Sequence, residues 1–170
     1  MDPTDIPPDE GHAQPHLRSF SRSLPMRLLI AREAVMARFR PLMRSHGVTE
    51  QQWRILRAIA ERGELDMQGL AQETFLLLPS LSRTVPLLER QGYLERHAAK
   101  QDQRRTIVRL TARGRRLLAA VGPHSEQQYA EIAQFIGPDA LEQLYDLLDR
   151  LAKLPKPTGN GADANDDDPS

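Results

Sequence analysis

The sequence of 170 residues contains no cysteine. Disulfide bonds, thiolate metal sites, cysteine nucleophiles and thiol-based redox switches are therefore all excluded. It also lacks any apolar stretch that approaches the roughly 20 residues needed for a membrane-spanning helix. The missing cysteines fit the reducing cytoplasm, so we expect a cytoplasmic protein whose length suits one domain with a sizeable core.

The formal net charge is also zero, because 23 lysines and arginines balance 23 aspartates and glutamates. Taken whole, this neutrality argues against a polyanionic partner. The distribution reverses that inference: residues 80–116 hold ten basic side chains against three acidic ones, and residues 18–57 hold nine against two. Such concentrated basic charge is the electrostatic footprint of phosphate contacts, so nucleic-acid binding becomes the leading interpretation.

Both ends of the chain are rich in proline and acidic residues. Residues 1–22 contain four prolines and lack the basic start and apolar run of a signal peptide. Residues 155–170 combine proline and glycine with a run of three aspartates. Neither end can bury apolar surface, so both are predicted to be disordered arms around a body at 23–154.

The body begins with two helical patterns. Apolar residues recur at helical spacing over residues 24–42, and Pro41 is expected to kink or end this first helix. Residues 49–52, TEQQ, form a capping box that opens a second helix closing near Gly63. Three side chains of the second helix are expected to face inward, namely Trp53, Leu56 and Ala60.

Two further helices and a hairpin follow. Asp66 is expected to cap a short third helix, and Pro79 to lie near the start of a fourth that ends at Gly92. Residues 93–97 and 106–110 then show strand patterns on either side of a long charged tip. Two more helices end the body. The predicted fold is mainly α with a small β-wing (α+β), a winged helix-turn-helix extended by helices at both ends.

The fourth helix has the features of a recognition helix. Such a helix needs short hydrogen-bonding side chains near its N-terminus, because that end meets base edges in the major groove. Four residues meet this requirement and are the predicted DNA contacts of the helix: Ser80, Ser82, Arg83 and Thr84. An arginine side chain can bind guanine bidentately, and Arg83 supplies one at this end of the helix.

A more specific motif lies at residues 102–115, DQRRTIVRLTARGR. It resembles the wing of the MarR family of winged-helix regulators, with Asp-x-Arg, a strand ending in Leu-Thr and a following glycine. The resemblance implies that Asp102 and Arg104 pair at the base of the wing. It also implies that the wing contacts DNA through Lys100, Gln103 and Arg105, the last in a minor groove.

The first half of the body is similar to one subgroup of that family, the regulators of homoprotocatechuate degradation operons. The similarity is carried by AREA at 31–34, FRP at 39–41, TEQQWRI at 49–55 and PSL at 79–81. Pro86 departs from the pattern, because a proline inside the recognition helix removes a hydrogen bond and should bend it. Base contacts beyond Thr84 are therefore not carried over.

Membership would imply a homodimer that binds a pseudo-palindromic operator. In that arrangement residues 48–111 form the DNA-binding lobe, and residues 23–47 and 112–154 supply the dimerisation helices. Independently of the resemblance, both terminal helices show wide apolar faces, which a lone winged module would not need.

The family also implies a small aromatic carboxylate as effector, with no cofactor. The candidate ligand contacts, chosen for carboxylate clamps and a flat apolar wall, are Arg32, Arg40, Trp53, Arg54 and His124. An alternative stays open for four of them: Trp53 as a core residue, and the three arginines as partners of Glu33, Glu50 or helix ends. No histidine and carboxylate set has metal-ligand spacing, which argues against a metal sensor.

The sequence thus predicts a ligand-responsive transcriptional regulator, most simply a repressor of an aromatic-acid catabolic operon. One alternative is a sequence-tolerant architectural DNA-binding protein without a ligand. Another is a helical adaptor whose arginines form a solvated face. An enzyme is disfavoured, because no catalytic triad spacing, phosphate loop or paired carboxylate site is visible.

Overall fold

The structure, a computed structural model, describes residues 18–98 and 106–155. These residues belong to two compact units divided between His124 and Ser125. In chain order the elements are a 3-10 turn (Phe20–Arg22), α1 (Leu24–Ser45), α2 (Glu50–Arg62), β1 (Glu64–Asp66), α3 (Met67–Thr74), α4 (Leu78–Arg90), β2 (Leu94–Ala98), β3 (Thr106–Leu110), α5 (Ala112–Ile136) and α6 (Pro138–Ala152). The mainly helical winged helix-turn-helix predicted from sequence is confirmed.

The predicted helix caps are present. Thr49 Oγ1 accepts from the Gln52 N–H at 3.2 Å, and Gln52 Oε1 accepts from the Thr49 N–H at 2.8 Å, which completes the capping box of α2. Asp66 Oδ1 accepts from the Gly69 N–H at 2.8 Å at the start of α3. These local hydrogen bonds determine where α2 and α3 begin.

The core of the first unit is built by α2, α3, α4 and β3. Its fully buried side chains include Ile55, Leu56, Ile59, Leu70, Leu81, Leu88 and Val108. The expected inward face of α2 was partly wrong, because Ala60 is exposed and Trp53 is only half-buried. The buried face instead follows residues 52, 55, 56 and 59, the spacing of one side of a helix.

Pro41 does not end α1, which continues to Ser45. Proline inside a helix forfeits one backbone hydrogen bond. Phe39 and Met43, on either side of it, are both 5% exposed, and their burial holds the last turn in place. The helix therefore ends just beyond the proline rather than at it.

The sheet contains a strand that the sequence pattern did not predict. β1 pairs antiparallel with β3, which also pairs antiparallel with β2, so the strand order is β1-β3-β2. β1 has three residues, two of them acidic, and is too short and too polar to stand out as a strand. β3 is consequently central in the sheet, and its Val108 is fully buried.

The terminal helices carry exposed apolar side chains. On α1, Leu24, Leu28 and Val35 are between 39% and 50% exposed. On α6, Leu144, Leu147 and Leu148 are between 37% and 53% exposed. The wide apolar faces expected from the sequence are thus uncovered in the single chain. Among the described residues, no helix is long and apolar enough to cross a membrane.

Candidate nucleic-acid interface and arginine cluster

Helix α4 divides into a buried and an exposed side. Leu81, Val85 and Leu88 pack into the core, each no more than 1% exposed. Ser82 and Arg83 are exposed, whereas Ser80 and Thr84 are half-buried. Thr84 Oγ1 donates to the Ser80 carbonyl at 2.8 Å, so that hydroxyl is left to accept rather than donate. The four predicted contact residues are therefore unequal, and Ser82 and Arg83 are the more accessible.

Arg83 is an uncompensated positive charge in the part of the chain that the structure describes, since no acidic side chain there pairs with it. Two other arginines of the basic segment differ. Arg96 lies 2.5 Å from Glu89 and Arg109 lies 2.7 Å from Glu95. Because local carboxylates neutralise those two, Arg83 is the better placed to meet an anionic partner.

Pro86 does not interrupt α4, which runs from Leu78 to Arg90. The neighbouring side chains Val85 and Leu88 are buried, and this anchorage offsets the backbone hydrogen bond that proline cannot make. The helix therefore keeps its exposed side along its full length.

The predicted wing contacts Lys100, Gln103 and Arg105, and the predicted Asp102–Arg104 pair, lie outside the described residues and stay predictions. The base of the wing is described. Glu95 and Arg109 are partners in the strand register, and their side chains form an ion pair across it. His97 Nε2 lies 3.5 Å from a carboxylate oxygen of Glu64.

The Leu-Thr and glycine positions of the wing motif have a packing role at the end of β3. Thr111 Oγ1 donates to the Gly92 carbonyl at 2.6 Å and accepts from the Gly114 N–H at 3.1 Å, which makes it the cap of α5. A Cβ on Gly114 would lie 2.3 Å from the Tyr93 carbonyl oxygen. Only glycine lets α5 approach this backbone so closely.

Three of the predicted ligand contacts come together around Glu50, at the start of α2. Its carboxylate pairs with Arg32 of α1, with Arg54 of α2 at 2.9 Å and with Arg40 of α1 at 3.4 Å. Glu33 pairs with Arg32 at 2.7 Å and with Arg40 at 2.8 Å. We call these five residues the arginine cluster; it holds three positive and two negative charges.

The open alternative for these arginines is thus realised, because each pairs with Glu33, Glu50 or both. Pairing does not neutralise the cluster, which keeps one excess positive charge. The hydrogen bond from Arg40 lowers the pKa of Glu33 below its ordinary value of 4.5, and the charges of Arg40 and Arg32 add to the effect. The ion pairs of Glu33 therefore contribute fully to the stability of the folded protein above its ordinary pKa. That contribution is lost as the pH falls through the lowered pKa.

Arg54 also connects the arginine cluster to the helix-turn-helix. Its Nη1 donates to the carbonyl of Thr74, the last residue of α3, at 3.1 Å. Thr74 is buried, and its hydroxyl donates to the Leu70 carbonyl at 2.5 Å. Sequence reasoning missed this connection, because a backbone acceptor leaves no trace in the sequence.

The remaining two ligand candidates, Trp53 and His124, are not among the ion-paired residues of the arginine cluster. Trp53 is half-buried on α2, next to Arg54 in sequence. His124 is exposed, and its ring lies 6.4 Å from that of His46, centroid to centroid. His46 Nδ1 is 2.9 Å from the Leu42 carbonyl at the end of α1. His124 therefore has an imidazole neighbour that its spacing in the sequence did not suggest.

Replacing Glu50 with glutamine should destabilise the protein by about 1–2 kcal/mol, because three arginines then lose their shared, partly buried carboxylate. Urea unfolding followed by circular dichroism measures this. The matched control is Glu61→Gln, an exposed position on the same helix, which should change stability by at most about 0.5 kcal/mol. Equal effects of the two substitutions would contradict the central position of Glu50.

Known proteins share this architecture and much of its sequence. Residues 46–105 match the model of the MarR family. The HTH-type transcriptional regulator FarR of Neisseria gonorrhoeae is 39% identical over 132 residues, which cover 78% of this chain and 90% of that protein. The homoprotocatechuate degradative operon repressor of Escherichia coli is 37% identical over 78% of this chain and 89% of its own length.

A solved structure agrees. The crystal structure of NadR in complex with 4-hydroxyphenylacetate superimposes with a TM-score of 0.72 at 39% identity, covering 82% of this chain and 99% of that one. The winged helix-turn-helix, its caps and the sequence similarity therefore lead to one assignment. The chain belongs to the MarR family and is a transcriptional regulator rather than an enzyme.

Proposed function

We propose that this regulator represses an aromatic-acid catabolic operon. As a homodimer it binds a pseudo-palindromic operator, and a small aromatic carboxylate releases it. The observation that carries the proposal is the arginine cluster: three arginines, one excess positive charge and a direct hydrogen bond to the end of α3.

Chemistry and relatives both support a carboxylate effector. A guanidinium binds a carboxylate through two parallel hydrogen bonds, and Arg32, Arg40 and Arg54 present several such edges in one place. The solved relative NadR was crystallised with 4-hydroxyphenylacetate, and the relative from Escherichia coli is the repressor of a homoprotocatechuate operon. Both 4-hydroxyphenylacetate and homoprotocatechuate are aromatic carboxylic acids, and a carboxylate fits the excess positive charge of the arginine cluster.

Release from DNA requires that the effector bind one conformation better than another. A ligand carboxylate that takes over arginine donors from Glu50 changes the partners of Arg54. Arg54 at the same time holds the Thr74 carbonyl at the end of α3, the helix that precedes α4. In this mechanism the exchange of carboxylates reorients the helix-turn-helix, and the two recognition helices no longer match the half-site spacing.

The proposed homodimer rests on the uncovered apolar side chains of α1 and of α6. Helices of this length with exposed leucines at regular spacing are stabilised by burial against another surface. A second copy of the chain provides that surface with two-fold symmetry, which in turn predicts an operator with inverted half-sites.

The test begins with DNA selection. The full chain is incubated with random-sequence duplexes, and the selected duplex is used in a fluorescence anisotropy titration. We expect 4-hydroxyphenylacetate to weaken binding at least about tenfold, a typical coupling between two ligands. The matched control is tyrosol, which keeps the phenol ring and chain length but has an uncharged hydroxymethyl group in place of the carboxylate; it should have no effect.

A variant locates the effect. Arg40→Met should keep DNA affinity and reduce the response to 4-hydroxyphenylacetate, because one guanidinium of the arginine cluster is removed while much of the apolar stem of the side chain is kept. Failure to select any duplex would refute DNA binding. A selected duplex whose affinity is indifferent to a panel of aromatic acids would favour the architectural alternative.

A further inference from the structure

The turn that leads into α4 and the first residue of that helix expose large apolar side chains. Phe75 is 90% exposed, Leu77 is 76% exposed and Leu78 is 45% exposed. Phe75 also has a φ of 53°, a conformation rare for a residue with a large side chain. Neighbouring apolar side chains held in water by a constrained turn indicate a surface that another molecule covers.

The start of α4 also lacks a side-chain cap. Leu77 occupies the N-cap position and makes no side-chain hydrogen bond, whereas Thr49 caps α2 and Asp66 caps α3. Pro79 has no N–H, and the Ser80 N–H bonds to the Leu77 carbonyl at 2.9 Å. A helix end that binds phosphate presents free N–H groups. This end presents leucine side chains instead.

Charge favours DNA as the covering molecule. No acidic residue occurs between Phe75 and Leu88, and the one charged residue in that segment is Arg83. The start of a recognition helix faces base edges in the major groove. The apolar group on those edges is the 5-methyl group of thymine.

We infer that Leu77 and Leu78 read thymine methyl groups in each half-site and so determine part of the operator specificity. The inference rests on the proposed DNA-binding function of α4. It assigns base discrimination to two apolar residues in addition to the polar contacts of Ser82 and Arg83. A protein partner or a second copy on the same turn is the competing occupant.

Replacing thymine by uracil tests this directly, because uracil lacks only the methyl group and keeps the hydrogen-bonding edge. Each thymine of the duplex selected by the full chain is replaced in turn, and affinity is measured by anisotropy. At a contacted position the wild-type protein should lose about fourfold in affinity, as expected for one methyl-sized group removed from an apolar contact.

At a thymine that one of the leucines contacts, the variant lacking that leucine, Leu77→Ala or Leu78→Ala, should bind the thymine and uracil duplexes equally. Both side chains are exposed, so the fold should survive, and circular dichroism checks this. Arg83→Ala is the matched control: it should weaken binding to both duplexes and keep the ratio between them.

The outcomes distinguish a failure of DNA binding from a failure of thymine-methyl recognition by the leucines. If no duplex is selected, DNA binding itself fails, and this inference fails with it. If a duplex is selected and the ratio of thymine to uracil affinity is the same in the wild type and in both leucine variants, the inference is overturned while DNA binding stands. A change in self-association in the leucine variants with an unchanged ratio would also overturn it.

Discussion

Gly114→Ala should destabilise the protein by about 2–3 kcal/mol, although alanine favours helix formation over glycine. The new Cβ would lie 2.3 Å from the Tyr93 carbonyl oxygen and 2.9 Å from Leu110 Cδ2. The first neighbour is backbone, which cannot rotate away, so α5 or the end of the sheet must move. That movement also strains the hydrogen bonds that Thr111 makes to Gly92 and Gly114.

Thermal unfolding by circular dichroism should show the change as a fall in Tm of roughly 4–12 °C. Gly122→Ala is the matched control on the same helix, because a Cβ added there would meet nothing within 4 Å. That substitution should be neutral or stabilise by up to about 1 kcal/mol. Similar Tm values for the two variants would show that the close approach at Gly114 is not required.

Arg83→Ala should weaken binding to the selected duplex by about 1–3 kcal/mol, or roughly five- to 150-fold. Arg83 is exposed on α4, and no acidic side chain in the described residues holds it away from a ligand. A bidentate contact to guanine would be lost, and the preference at one base position should relax. Anisotropy titrations against the selected duplex and its single-base variants measure both effects.

Arg109→Ala is the control for charge alone, because Arg109 is already paired with Glu95. It should change affinity much less than Arg83→Ala. If Arg83→Ala weakens binding to the selected and to a scrambled duplex by the same factor, Arg83 contacts phosphate and not a base.

Local chemistry made much of the fold predictable. The capping box at Thr49, the cap at Asp66 and the turn at Gly92 are decided by residues within one turn of each other, and all three are present. β1 was missed because its pairing is decided by β3, about forty residues away, and not by its own composition. The exposure of Ala60 was missed for a related reason, since tertiary packing selects which side of α2 is buried.

For the candidate sites, the residues were predictable from the sequence but their pairing was not. Sequence reasoning named Arg32, Arg40 and Arg54 and also named Glu33 and Glu50 as alternative partners. It could not show that Glu50 pairs with all three arginines, because that depends on how α1 packs on α2. The DNA contacts, the ligand contacts and the domain roles stay predictions that the experiments above address.

The hydroxyl of Thr111 has a mechanical consequence. It bonds to the Gly92 and Tyr93 carbonyls beyond the end of α4 while capping α5 beside the last residue of β3. One atom thus clamps the recognition helix and the strand that leads out of the wing to a common point. Helix α4 and the β2–β3 pair should therefore travel as one rigid body. In the mechanism proposed above, the effector then changes the distance between two such bodies rather than the shape of either.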